Sequence, residues 1–242
     1  VTATLQGGAA TATVTSPGTI AVATTAGTRT EVALVGGTQT VQSQGSDVIR
    51  AWSGSDTISI NVANTHVFNA AATLIVSNNA ANGANDWLTG GSGTVSYSQE
   101  GADLHFRGGS GSATLNGGWG TLDVNGGSGQ LAISGGNGLN FTGGSGSASI
   151  DLSANGGPIT FGSGATTVTE AGWGGAAIYN FVAGSGGGTD VIAGFRAGTD
   201  HLMLQGVTET QQSVVGGSTM VTLSDNTHLQ LAGFVGTGSL FG

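Results

Sequence analysis

The chain contains no cysteine and no lysine, only 2 prolines, and charged residues make up 7% of its 242 positions. Without cysteine there is neither a disulfide framework nor a thiolate metal site. Arg29, Arg50, Arg107 and Arg196 are the only strong cations, set singly against 13 acidic residues for a net charge of −9. Counterion release on nucleic acid needs clustered cations, so nucleic acid is excluded as an expected partner. No apolar run approaches the roughly 20 residues of a membrane-spanning helix, so no membrane insertion is expected. The N-terminus also lacks the basic-then-apolar plan of a signal peptide.

What is abundant is glycine, 48 residues, interleaved with enough Val, Ile, Leu and Phe to bring the hydrophobic fraction to 38%. That is too apolar for a disordered tail. The glycines are therefore expected at tight turns that need a positive φ. Gly-Gly-x-Gly begins at Gly90, Gly108, Gly117, Gly126, Gly135 and Gly143, a period of nine with one degenerate unit and one unit a residue short. Extended outward, one register gives units starting at 42, 51, 60, 69, 81, 90, 99, 108, 117 and 126, interrupted by Asn78 to Ala80.

Position eight of these units reads Ile49, Ile58, Val67, Val76, Leu88, Tyr97, Phe106, Leu115, Val124 and Ile133, with Ile150, Val168 and Ile178 in the same place later. Each unit reads as a glycine-rich turn followed by a short strand with side chains alternately in and out. A single unit cannot bury its inward side chains, so successive units must stack. Two units per coil predict an all-β chain, a parallel β-solenoid or β-roll of seven or eight coils, about 35–40 Å long. The expected organisation is a strand-rich N-terminal cap or assembly segment (1–41), the nonapeptide solenoid (42–182) and a C-terminal cap with a β-hairpin (183–242). The low-charge strands of 1–41 cap their own column, or add to the edge of a neighbour and build a head-to-tail filament.

Gly45-Ser46-Asp47-Val48-Ile49, Gly54-Ser55-Asp56-Thr57-Ile58 and Ala84-Asn85-Asp86-Trp87-Leu88 carry an Asp at position six. The stretch from Gly184 to Leu204, GSGGGTDVIAGFRAGTDHLML, adds Asp190 and Asp200, and Met220 to Leu231 alternates like a strand–turn–strand hairpin. Together these motifs resemble the RTX (repeat-in-toxin) proteins that bacteria export by type I secretion. The resemblance implies an extracellular or cell-surface location and structural Ca²⁺ held by position-six carboxylates and turn carbonyls, here near Asp47, Asp56, Asp86, Asp190 and Asp200. Each of these carboxylates reads equally well as a cap on a turn amide.

The departure from the family pattern is as clear. Position six runs Asp47, Asp56, Thr65, Leu74, Asp86, Val95, Leu104, Ala113, Leu122, Leu131, so the carboxylate disappears after Asp86. Calcium takes six to eight oxygen ligands, so 95–135 are expected to be held by a dry core.

No HExxH, CxxC, GxSxG or Walker motif occurs, and no enzyme activity is expected. Glu100 and Asp103 imitate an acid pair, and a solvated turn accounts for them. His66 and His105 share position seven without being stacked neighbours. Trp52, Trp87, Trp119 and Trp173 offer rings for a surface glycan, although at different repeat positions. Position five is polar but irregular, which argues against an ice-binding face. The expected function is an extracellular structural protein that self-associates into a fibre, layer or matrix. The alternatives are an adhesin or carbohydrate-binding module, or the non-catalytic part of a type I secreted protein.

Overall fold

Alternate side chains point inward along strand after strand: in Val95–Gln99, Val95, Tyr97 and Gln99 are buried while Ser96 and Ser98 are exposed. Inward rows of this kind are covered only when identical rows lie above and below them, and the chain supplies those rows by coiling. The computed structural model describes residues 2–4, 11–15, 19–24, 29–62, 64–80, 84–152, 156–171, 174–236, 238, 240 and 241. Among them are 23 strands, numbered here in chain order.

Strands pair in parallel with the next strand but one, so the coil has two sides. The first ladder joins β2 (Thr11–Val14), the leading halves of β4 (Glu31–Ser43) and β5 (Val48–Ile60), β6 (His66–Asn69), β8 (Asn85–Thr89) and β10 (Asp103–Arg107). It continues through β12 (Thr121–Asn125), β14 (Gly138–Thr142), β16 (Pro158–Thr160), β18 (Ile178–Val182) and β20 (His201–Gln205). The second joins β1 (Thr2–Thr4), β3 (Thr19–Ala23), the trailing halves of β4 and β5, β7 (Thr73–Asn78), β9 (Val95–Gln99) and β11 (Ala113–Asn116). It continues through β13 (Leu131–Ser134), β15 (Ala148–Leu152), β17 (Thr166–Glu170), β19 (Thr189–Ala193) and β23 (His228–Ala232). β4 and β5 run round a corner and belong to both ladders.

The fold is thus the expected parallel β-solenoid, with about eight coils across the repeat region. The strands of the N-terminal segment lie on the same two ladders, parallel and in register with β4. At the other end, β21 (Glu209–Val215), β22 (Ser218–Leu223) and β23 form an antiparallel meander, so the expected hairpin has one strand more.

Every position-eight residue from Ile49 to Ile133 is buried, and so is every position-six residue, carboxylate or aliphatic. The pairs Leu104/Phe106, Leu122/Val124 and Leu131/Ile133 share one continuous core. Each buried aliphatic of this size stabilises by about 1.5–3 kcal/mol. Ile178 departs from expectation: it is 40% exposed, while Tyr179 and Phe181 face inward and both rings stack on Phe161. The spacing between paired strands lengthens there, from Pro158 to Ile178, and the chain re-enters the core one residue out of phase.

The glycines correct part of a second expectation. The Gly-Gly-x-Gly turns at 90, 108, 126 and 143 all lie on one edge, where the chain passes from the first ladder to the second. These turn glycines do not have a positive φ. Their role is close approach: a Cβ on Gly91, Gly109, Gly127 or Gly144 would fall 2.0–2.2 Å from a carbonyl oxygen of the preceding coil. Side chains larger than hydrogen would force apart backbones that hydrogen bonding holds together. The expected positive φ is found in the Gly-Gly-x-Gly turns at 117 and 135, at Gly118, Gly135 and Gly136, and also at Gly36 and Gly54.

Candidate cation sites and outer faces

Position six points into the column, so an Asp there is buried and must find partners or remain costly. Asp47 finds three: the Thr24 and Ser43 hydroxyls donate to Oδ2, each at 2.6 Å, and the Thr30 amide donates to Oδ1 at 2.9 Å. Asp86 accepts the Thr65 amide at 2.7 Å and the Asn78 side-chain amide. Asn78 also donates to Tyr97 Oη, which donates to Gln99 Oε1, whose amide donates to Gly117 O. Burial raises the Asp86 carboxyl to about 6, partly offset by the Thr65 and Asn78 donors.

Asp200 is held by charge. Arg196 Nη2 lies 2.9 Å from Oδ1 and 3.2 Å from Glu170 Oε2, while Arg196 N donates to Asp200 Oδ2 at 2.7 Å. The Ala177 amide completes the shell at 3.1 Å. The amide of the preceding coil thus meets a carboxylate at Asp47, Asp86, Asp190 and Asp200 alike, which is the turn-capping role the sequence allowed.

Two places differ. Neither oxygen of Asp56 has a hydrogen-bond partner, and neither does Oε1 of Gln39, its buried neighbour in register. Burial lifts Asp56 to about 6. Asp190 Oδ1 accepts the Thr166 amide at 3.0 Å, but Oδ2 is buried and unpartnered, and so is Oδ2 of Asp225 in the β22–β23 turn. Burial raises Asp190 to about 7, and the charge of Asp225 adds to the rise. The five expected aspartates therefore do not converge, and among the described residues no three His, Cys, Asp or Glu side chains form a metal cluster. Asp225 was missed because Ser224-Asp225-Asn226-Thr227 reads as an ordinary turn. Asp103 caps the Thr121 amide at 2.7 Å, and Glu100 is exposed.

The outer faces of the two ladders are unlike. On the first, Trp87 lies between His66 and His105, at 4.5 and 5.4 Å between ring centroids, with interplanar angles of 6° and 15°. His105 Nδ1 lies 3.1 Å from Asp123, which accepts from Asn140. Stacking in this direction covers both faces of the indole, so Trp87 offers no flat ring to a glycan. Trp52 (52% exposed) and Trp119 (80%) protrude from opposite edges of the column, and Trp173 lies outside the described residues.

On the second ladder two exposed rows are Thr94, Ser112, Gln130, Ser147, Ala165 and Ser96, Thr114, Ala132, Ser149, Thr167, and a third beside them holds Ser98, Asn116, Asp151 and Thr169. The first two rows are uncharged and mostly small, and line one shallow groove from Ser112 to Thr167. No family model, curated protein or solved structure matches this chain.

Proposed function

We propose that the protein is an extracellular structural protein that self-associates, with the outer face of the second ladder, from β9 to β17, as the contact between columns. The supporting observation is the makeup of that face. In a chain of net charge −9 two of its three exposed rows hold no ionisable side chain, and the third holds Asp151 alone. Ser, Thr and Ala rows at strand spacing let a second copy approach closely with little desolvated charge. The occupant is a second copy because the same rows on both partners are complementary without any charge match. Kinship with RTX proteins and export by the same route belong to this proposal; the nine-residue half-coil and the position-six carboxylates speak for them.

The test is sedimentation velocity with electron microscopy over a concentration series, on the wild type and a Thr114→Lys/Ser149→Lys variant. Both lysines lower the net negative charge, which by itself favours association. Wild-type assemblies that the lysines abolish are expected, while Asn125→Lys on the opposite face leaves them intact. A wild type that stays monomeric throughout, or a double variant that assembles equally well, overturns the reading.

A further inference from the structure

We infer that the row Arg50, Phe68, Thr89, Arg107, Asn125 and Thr142, on the outer face of the first ladder, binds an extended carboxylated polysaccharide. Arg50 and Arg107 each take a carboxylate, and Trp52 stacks on a sugar ring. The self-association face belongs to the other ladder, so the two proposals stand apart.

The strand register sets these six side chains one above another. Arg50 and Arg107 stand three rungs apart, about 14 Å along the column. Among the described residues no carboxylate lies within ion-pair distance of either guanidinium. Two of the chain's four strong cations are thus set in line without an ion-pair partner, in a protein with 13 acidic residues. In the neighbouring row Asp123 is already engaged by His105 and Asn140. Arg50 is held in place: its guanidinium carbon lies 4.9 Å from the Phe68 ring centroid, which leaves the N–H donors at its edge for a ligand. Trp52 is also placed by the backbone. Leu34 pairs with Ala51 and Val35 with Ser53, so Trp52 is the extra residue of a β-bulge and stands 52% exposed. Two depressions follow the row, one lined by Arg50, Trp52, Phe68 and Thr89, the next by Arg107, Asn125 and Thr142.

The spacing of charge selects the occupant. A nucleic-acid strand carries a phosphate on every nucleotide, and two cations in six rungs neutralise few of them. The field of a chain at net charge −9 repels polyanions at long range, so attraction must be local. Thr89, Asn125 and Thr142 offer neutral donors and acceptors, which suit sugar hydroxyls. In an extended chain a pyranose advances by roughly the rung spacing. A polyuronate of threefold screw symmetry turns a carboxylate to the same side on every third sugar, which matches the two arginines. Guanidinium takes a carboxylate bidentately, and the indole offers its apolar face to the C–H groups of a ring.

Titration calorimetry on the full chain, in EDTA to exclude a metal bridge, uses an oligogalacturonate long enough to cover the row. The wild type should bind it and should not bind its methyl ester. Arg50→Gln and Arg107→Gln should each weaken binding by about tenfold or more, while Trp119→Ala, on the opposite edge from Trp52, should leave it unchanged. Asn125→Lys adds a cation within the row and should bind more tightly than the wild type, a gain that no loss of folding can imitate. Arg107 and Asn125 are exposed, so their variants should melt as the wild type does. A wild type that does not bind, arginine variants that bind as the wild type does, or equal affinity for poly-aspartate or single-stranded DNA would each overturn the inference.

Discussion

Replacing Gly111 by alanine adds one carbon atom and should be among the most damaging single changes in the column. The new Cβ would lie 1.9 Å from Gly93 O and 2.7 Å from the Ser92 carbonyl. Contacts between carbon and carbonyl oxygen settle near about 3.3 Å, so the two coils must separate locally by more than about 1 Å. The Gly111 amide donates to Gly91 O at 2.8 Å, and that bond is stretched or lost in the process. Overpacking of this kind costs about 1–3 kcal/mol, and a lost hydrogen bond about 0.5–1.5 kcal/mol, for a total of about 2–4 kcal/mol. Two internal controls separate this from a generic glycine effect. At Gly138 φ is ordinary and the nearest atom to a Cβ is Thr121 Cγ2 at 3.7 Å, so Gly138→Ala should be neutral or stabilise by about 0.4–1 kcal/mol. At Gly216 there is open space but φ is +59°, so Gly216→Ala should cost about 1–2 kcal/mol through backbone strain alone. Urea midpoints with linear extrapolation measure all three. An order other than Gly138→Ala, Gly216→Ala, Gly111→Ala from most to least stable refutes the claim that these turns need glycine for backbone contact.

Arg196→Met strips the partner from Asp200 and Glu170, both buried, and should destabilise by about 3 kcal/mol at pH 7 in urea unfolding. Part of that loss should return as the pH is lowered, because burial already raises the Glu170 carboxyl; a deficit independent of pH would rule out the charge explanation. Burial raises Asp86 from 3.8 to about 6, so the folded protein holds that proton more tightly than the unfolded chain. The sign follows: in EDTA, stability should rise as pH is lowered from about 6 to about 4, by up to about 3 kcal/mol from this group. Denaturant midpoints for the wild type and Asp86→Asn check this, and an equal slope in both would refute it.

The coiled architecture was legible because its cause is periodic. Position-six and position-eight residues recur in phase, and a row that must be inward in one unit must be inward in the next, so the core from Ile49 to Ile133 could be read before any coordinates. Ile178 escaped this reading because longer connections reset the phase, and an apolar residue looks the same on either side of a strand. The glycine turns were located correctly and explained in part: positive φ holds at Gly118, Gly135 and Gly136, while the turns at 90, 108, 126 and 143 need glycine for close approach. Sequence shows where a side chain is missing, not whether φ or a neighbouring backbone forbids it.

The sequence by itself determined the nine-residue half-coil, the loss of position-six carboxylates over 95–135, and the all-β parallel class. Local composition and period carry that information. Tertiary structure alone decided which aspartates are satisfied: Asp47 by hydroxyls, Asp86 by an amide and Asn78, Asp200 by Arg196. It alone brought Asp225 towards Asp190, 35 positions apart in the chain. It also covered both faces of Trp87 with His66 and His105 and gathered the small uncharged rows on one side. Partners that meet across coils depend on coil length and turn shape, summed over every insertion between them, and no local pattern records that sum.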